Sequence, residues 1–146
     1  MSSKIIAIAD AVVTALNAAE LSLDITAARA YVPKFDLHSS TGVEVRVVPK
    51  SDDREMETAG TDAGDMLIDI GINKKLQNAV ADELAECDTL MDLCEEIRPV
   101  LNRQRLAGEA VCIRIRHELI YSVDKVEDER TFLSVMTATF RVSVDV

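Results

Sequence analysis

The chain has 146 residues, the length of one ordinary domain with a single core. Its 26 acidic and 16 basic residues give a formal net charge of −10, which argues against a nucleic-acid ligand because phosphate binding depends on Lys and Arg. Aromatic residues make up only 3% of the sequence, so the core is expected to be aliphatic and no base-stacking platform is expected.

The first half of the chain predicts one helix followed by three strands. Residues 4–19 carry apolar side chains at spacings of three and four, the pattern of an amphipathic helix. A strand is predicted over 26–32, and residues 43–48 and 66–72 alternate between apolar and polar side chains, as half-buried strands do.

The second half predicts a longer helix and two more strands. Apolar residues repeat every three or four positions from Ala81 to about Arg105, and Pro99 inside this stretch predicts a kink or a break. Strands are predicted over 110–120 and 131–144, joined by a polar, exposed link. In the first of these strands, the side chains expected on the apolar face are Val111, Ile113, Ile115 and Leu119.

This order of elements predicts an α+β fold in a single domain spanning residues 1–146. Alternation in several strands favours a mostly antiparallel sheet of about five strands. Two helices are expected to cover its apolar face, which gives a two-layer architecture.

Residues 51–65, SDDREMETAGTDAGD, interrupt this pattern with six acids, one Arg and no apolar face. The segment joins two consecutive strands, so we predict a long β-hairpin loop. Hairpin loops normally need two to five residues. A loop of this length is expected either to move freely or to dock outside its own subunit.

The three cysteines are predicted to be reduced core residues rather than ligands or disulfides. Cys87 and Cys94 lie seven residues apart on a predicted helix, about 10.5 Å at the standard rise and too far for a disulfide. Together with Cys112 they have helix- or strand-core spacing, and no C-x-x-C pattern is present. A cytosolic compartment fits free thiols, and we expect a protein made there with no membrane partner.

No constellation in the sequence predicts catalysis, a cofactor or a metal site. The two histidines, His38 and His117, are far apart, and glycine-rich nucleotide loops and a nucleophile elbow are missing from the sequence. Paired carboxylates, as in Asp52–Asp53, leave a small metal-dependent hydrolase as an alternative, but a solvated charge run explains them as well. We therefore predict a protein that is not an enzyme and has no cofactor.

The polar face of the predicted sheet carries arginines beside carboxylates. This face is either a solvated surface or a polar subunit contact in which Arg–carboxylate pairs set register. The basic residues are Arg46, Arg114, Arg116 and Arg141, and the acidic ones are Glu44, Asp69 and Glu118.

The layout of the whole chain resembles small structural proteins of tailed bacteriophages and prophages. The similar segments are IADAVVTALN, ARAYVPKFDL, VEVRVVP, the polar insertion, DIGINKKL, an acidic helix ending RLAG, and ERTFLSVMTATFRVSV. The group is that of the tail terminator, or tail completion, proteins of long-tailed phages, and more broadly the head–tail connector and neck proteins.

This resemblance implies a structural assembly protein of the virion, put together in the host cytoplasm. Such proteins form a ring, usually of six subunits, that ends the tail tube and joins it to head–tail connector proteins; a head-side connector or head completion protein is the alternative. DNA would pass through the ring without specific binding. The residues predicted to make protein contacts are Asp52, Asp53, Arg54 and Met56 in the insertion and Arg114, Arg116 and Arg141 on the polar face.

Overall fold

A computed structural model describes residues 3–31, 42–76, 82–102, 105–106 and 110–145. These residues form three helices and six strands in the order α1, β1, β2, β3, α2, β4, β5, α3 and β6. Their bounds are α1 Lys4–Ala18, β1 Ile25–Arg29, β2 Val43–Thr58, β3 Thr61–Lys75, α2 Glu83–Leu101, β4 Arg105–Leu106, β5 Ala110–Leu119, α3 Val123–Glu129 and β6 Thr131–Asp145.

The strands form one mixed, open sheet in the order β1-β2-β3-β6-β5-β4. The first pair, β1 with β2, is parallel, and every other pair is antiparallel. The predicted α+β fold is confirmed. The sheet is one strand wider than predicted because β4 adds a two-residue edge.

One face of the sheet carries the core. Alternate residues of a strand point to the same face, so each of the long strands contributes a row of apolar side chains. In β3 this row is Met66, Ile68, Ile70 and Ile72, all fully buried. Burying each such side chain contributes about 1.5–3 kcal/mol relative to exposure.

The two long helices pack against this face through stripes of apolar residues. Helix α1 buries Ile8, Ala9, Val12 and Leu16, at the spacing expected for one helical face. The buried residues of α2 are Leu90, Leu93, Cys94, Ile97 and Leu101. Cys112 is buried, Cys87 is half-buried, and all three cysteines are free thiols.

Helix α2 ends earlier than the sequence pattern predicts. It continues through Pro99 without a break and stops at Leu101 rather than near Arg105. Proline interrupts a helix by removing one donor and by crowding the preceding turn. At two residues from the helix end, Pro99 leaves little helix beyond it to disrupt.

A third helix occupies the link that was expected to be a polar connection. Helix α3 begins after Ser122, whose side-chain oxygen accepts a hydrogen bond from the Lys125 backbone N–H at 3.4 Å, and ends before Arg130 in the left-handed conformation (φ 52°). Val126 packs against the core. This apolar contact, added to the Ser122 cap, explains why a mostly charged segment is helical.

The predicted facing of side chains in β5 is wrong at both ends of the strand, since a second register shift after Arg116 pairs Leu119 with Val135 on the polar face. Cys112 pairs with Phe140 and Arg114 with Thr139, so Ile113 is an extra residue in a β-bulge. The bulge places Cys112 in the core and leaves Ile113 42% exposed. Strict alternation from Val111 cannot describe a strand that contains a bulge.

The segment 51–65 forms a hairpin, as predicted, but the prediction of a long loop is wrong because the segment is β-structure. Strands β2 and β3 run through it and are joined only by a tight turn at residues 59–60. Residues 61–65 of β3 pair on their other side with β6, from Arg141 to Asp145. We call this three-stranded part, residues 51–65 with 141–145, the hairpin extension.

Backbone pairing, rather than side-chain burial, holds the β2 arm of the hairpin extension in place, whereas Val142 of β6 is buried in the core. All side chains from Ser51 to Gly60 are exposed, whereas Val43, Val45 and Val47 in the same strand are buried. The register shifts between Pro49 and Ser51, at the point where the strand leaves the core, and again between Met56 and Thr58 near the turn.

Gly64 is the position in the hairpin extension where a side chain has no room. A Cβ atom there would lie 2.0 Å from the Asp53 carbonyl oxygen and 2.7 Å from the Arg54 Cα, both backbone atoms of the paired strand. We expect Gly64→Ala to destabilise the protein by about 1–3 kcal/mol because the strands must separate. Urea unfolding followed by circular dichroism measures this change.

Gly60→Ala is the matched control, since no atom lies within 4 Å of a Cβ built at that turn position. The control is expected to be neutral or slightly stabilising, as glycine replacement restricts the unfolded chain. Equal stabilities of the two variants would contradict the close strand approach at Gly64.

Candidate assembly interface

Four of the predicted contact residues lie together on β2 in the hairpin extension. The register pairs Asp52 with Met66 and Asp53 with Asp65, so these neighbours point to opposite faces of the sheet. Asp52, Arg54 and Met56 point to the same face of the sheet as the buried valine side chains in residues 43–47 at the start of β2. Asp53 points to the polar face.

Arg54 is held in a bidentate ion pair with Asp52. Its Nε and Nη2 atoms donate to the two carboxylate oxygens at 2.9 and 2.8 Å. This geometry fixes the arginine against its own strand. Met56, in contrast, is 77% exposed, which is the highest value among the large apolar side chains that the structure describes as exposed.

Arg141 belongs to the same extension, one strand further across. Its Nε donates to Asp65 at 3.2 Å, and Asp65 lies directly between Arg141 and Asp53 in the sheet. The pair is exposed and therefore contributes little to stability. It partly offsets the repulsion between Asp53 and Asp65.

Arg114 and Arg116 lie on β5, the strand next to that of Arg141 and two strands away from β3. They pair with Thr139 and Thr137 and so share the polar face with Arg141 and Asp53. Arg116 approaches Glu118 at 3.5 Å, and the Arg114 guanidinium has no hydrogen bond or ion pair within the described part of the chain. The seven predicted residues thus lie on three strands of one sheet, with Asp52, Arg54 and Met56 on one face and Asp53, Arg114, Arg116 and Arg141 on the other.

The middle of the polar face is a network of short polar contacts. The Thr137 hydroxyl donates to Asp69 at 2.6 Å, and Lys50 lies 3.7 Å from Asp69 and 3.9 Å from Glu118. Thr137 is only 3% exposed. These side chains satisfy one another within the subunit, so the free charges of this face lie at its margins.

Sequence reasoning missed an apolar groove between α2 and α3. It has a volume of about 460 Å³ and lies at the end of the sheet opposite the hairpin turn, where β6 begins. Leu84, Tyr121 and Val123 at its mouth are each about half or more exposed. The sequence signal for helix α3, which forms one wall of the groove, was the three-residue spacing of Val123 and Val126 after a capping Ser122. This spacing is typical of one face of a helix, but the segment was interpreted as a link.

A buried polar cluster lies beneath β5, where Ser134 meets His117 and Cys94. The Ser134 hydroxyl donates to the Leu119 carbonyl at 3.2 Å, the Cys94 thiol lies 3.8 Å from the Ser134 oxygen, and His117 Nε2 contacts that same oxygen. Burial raises the pKa of the Cys94 thiol. A nucleophilic cysteine needs the opposite shift and an accessible sulfur, so this cluster has the character of a structural network.

The described residues contain no group of three or more His, Cys, Asp or Glu side chains placed to hold a metal ion. Asp52 is engaged by Arg54, and Glu129 is bound by Lys125 at 2.8 Å. None of the helices in the described ranges is long and apolar enough to cross a membrane.

Comparison with known proteins gives a match of fold alone. No protein-family model matches the chain, and no curated protein matches it. Among solved structures, the fold is similar to that of a chain in the virion of a native gene transfer agent particle. The two share 15% sequence identity with a TM-score of 0.57, and the match covers 100% of each chain.

The His117 cluster makes stability depend on pH in a defined direction. Burial, assisted by the nearby Arg98 charge, lowers the pKa of His117 from its ordinary value of 6.5, against a smaller opposing effect of Glu95. The unfolded chain therefore binds more protons between the two pKa values, and stability falls as pH decreases below 6.5. We expect His117→Gln to lose less stability than the wild type between about pH 7.5 and 5.5.

Urea midpoints at several pH values measure this difference. His38→Gln, which changes the other histidine, reports what the same substitution does elsewhere in the chain. An unchanged pH dependence in His117→Gln would show that His117 does not carry the effect.

Proposed function

We propose that this protein is a structural component of a tailed phage or phage-like particle, a ring that ends the tail tube and joins the tail to the head. The observation that carries the proposal is the full-length similarity of fold to a chain of the gene transfer agent virion. The match covers 100% of both chains, so the proposal does not depend on a shared fragment.

The hairpin extension fits a role in assembly. Its β2 arm pairs with β3, yet the side chains of residues 51–60 contact little of their own subunit. An ordered projection with an exposed Met56 and several free carboxylates is suited to contacts with other molecules. The partners proposed for it are further copies of this chain, the tail tube protein and head–tail connector proteins.

The charge of the protein fits a DNA conduit. Six of its acids and only one base lie in residues 51–65, a net charge of −5 (1 − 6) out of −10 for the chain. Like charge repels the phosphate backbone, so DNA can pass without being held. We propose a ring of six subunits located in the virion after assembly in the host cytoplasm.

Removing the gene from the phage or prophage that encodes the protein tests this proposal. A ring that ends the tail tube should be needed both to stop tube growth and to attach heads. We therefore expect electron micrographs of the lysate to show filled heads separate from tails, with tubes longer than those of the wild type.

The outcome also separates the alternative on the head side. Tails of normal length, together with heads that cannot attach or have lost their DNA, would favour a head-side connector or head completion protein. Joined particles in normal number would overturn the structural role altogether.

Complementation of the deleted gene tests the hairpin extension directly. Removing residues 55–63 and changing Arg54→Asn leaves an Asn-Gly pair as a two-residue turn, which hairpins favour, with Asp53 still paired to Asp65. The core is untouched, so the variant should fold. We expect it to fail to join heads to tails, whereas full joining would show that the extension is dispensable.

A further inference from the structure

We infer that neighbouring copies of this chain join edge to edge, with β2 of one hairpin extension pairing with β5 of the next copy. This inference rests on the proposed ring and names the surfaces that build it. It follows from three features of the sheet: two open edges, their positions on opposite sides, and their complementary charges.

Both strands have edges that no described strand covers. On one side of the sheet, β1 pairs with β2 only from Val43 to Val47, so residues 48–58 have no partner strand on that side within the described ranges. On the other side, β4 pairs with β5 only at Ala110 and Val111, so no strand that the structure describes pairs with residues 112–119 there. Open edges present unpaired N–H and C=O groups and readily accept another strand.

The two open edges lie on opposite sides of the sheet, so a contact between them is heterologous. Such contacts repeat around an axis and close into a ring when the rotation permits. Strands β2 and β5 also run in opposite directions within one subunit, because three antiparallel pairs separate them. A rotation about a ring axis keeps the direction of strands that run along that axis, so in such a ring the new pair would be antiparallel.

The charges of the two edges are complementary on the same face. Asp53 and Glu55 of β2 share the polar face with Asp65 and Ala63 of β3. Arg114 and Arg116 of β5 share it with Thr139 and Thr137 of β6. In a sheet continued across two copies, these acids and arginines meet side by side.

These charged side chains have few or no partners in the described part of their own subunit and can therefore pair with another copy. The side chains of Asp53, Glu55 and Arg114 make no hydrogen bond or ion pair with any described residue, and Arg116 has only its 3.5 Å contact with exposed Glu118. Asp52 and Arg54, which already satisfy each other, point to the opposite face. An antiparallel register pairing Asp53 with Arg116 also pairs Glu55 with Arg114, and opposite charges placed directly across strands are favourable.

Reversal of these charges tests the interface. Multi-angle light scattering should be run on the protein alone, and electron microscopy on protein bound to tails from the gene-deleted strain. We expect Arg114→Glu with Arg116→Glu to abolish ring formation, and Asp53→Arg with Glu55→Arg to do the same. Combining all four changes should restore rings, because every pair is then complementary again.

The matched control is Lys75→Glu with Lys125→Glu, which changes the net charge by the same amount as the arginine variant but lies outside both edges. It should form rings like the wild type. Circular dichroism of each variant distinguishes loss of assembly from loss of folding.

The outcomes separate this inference from the proposed function. Rings that survive the arginine reversals, or that the four changes fail to restore, would overturn the edge-to-edge pairing while leaving the virion role intact. A wild-type protein that stays monomeric alone and on tails would overturn it as well. The virion role itself fails only if deleting the gene leaves joined particles in normal number.

Discussion

Main-chain pairing between β2, β3 and β6 beyond the edge of the core is the constraint on which the rest of the structure depends. Each of these strands is 15 or 16 residues long, roughly three times the usual strand. The inner part of each is held by apolar burial, and the outer part, about half of β2 and about a third of β3 and β6, mainly by hydrogen bonds to its neighbours. The same strands therefore supply both a stable domain and a projection.

The two halves differ in what stabilises them. The inner half buries β3 completely from Met66 to Ile72 on its core face, whereas the outer half has exposed ion pairs such as Arg54–Asp52 and Arg141–Asp65. Exposed ion pairs contribute about 0–1 kcal/mol each. A three-stranded ribbon of this kind has unpaired backbone N–H and C=O groups along its outer strands. Charged side chains along β2 limit non-specific association through these groups. In an assembly, a strand of opposite charge from another subunit would pair with these backbone groups.

Much of the fold could be predicted from the sequence because the core strands alternate regularly. The period of two in residues 43–48 and 66–72 and the helical spacing in α1 and α2 reflect burial on one face. The hairpin extension could not be predicted in this way, because SDDREMET buries nothing and its residues have low strand propensity. Its strand conformation is imposed by β3 and β6, which is a tertiary effect.

The candidate site was predictable in composition but not in arrangement. The sequence identifies Arg114, Arg116 and Arg141 as polar-face residues and the acids of 51–65 as unusual. It does not reveal that Arg141 lies within the extension while Arg114 and Arg116 lie on the far edge, since that depends on strand order. The bulge at Ile113 was missed because it depends on the pairing of β5 with β6, and helix α3 because it depends on the Ser122 cap and the packing of Val126 on the core.

Amide hydrogen exchange over residues 51–65 in the dilute, unassembled protein is the most direct measurement of the central claim. If residues 61–65 of β3 pair with β2 on one side and β6 on the other, the amides from Asp62 to Asp65 should exchange more slowly than those of an unstructured peptide of the same sequence. The open edge of β2 should then gain protection when the protein assembles. Exchange at the unstructured rate throughout 51–65 would contradict the account, because the segment would then be a mobile loop.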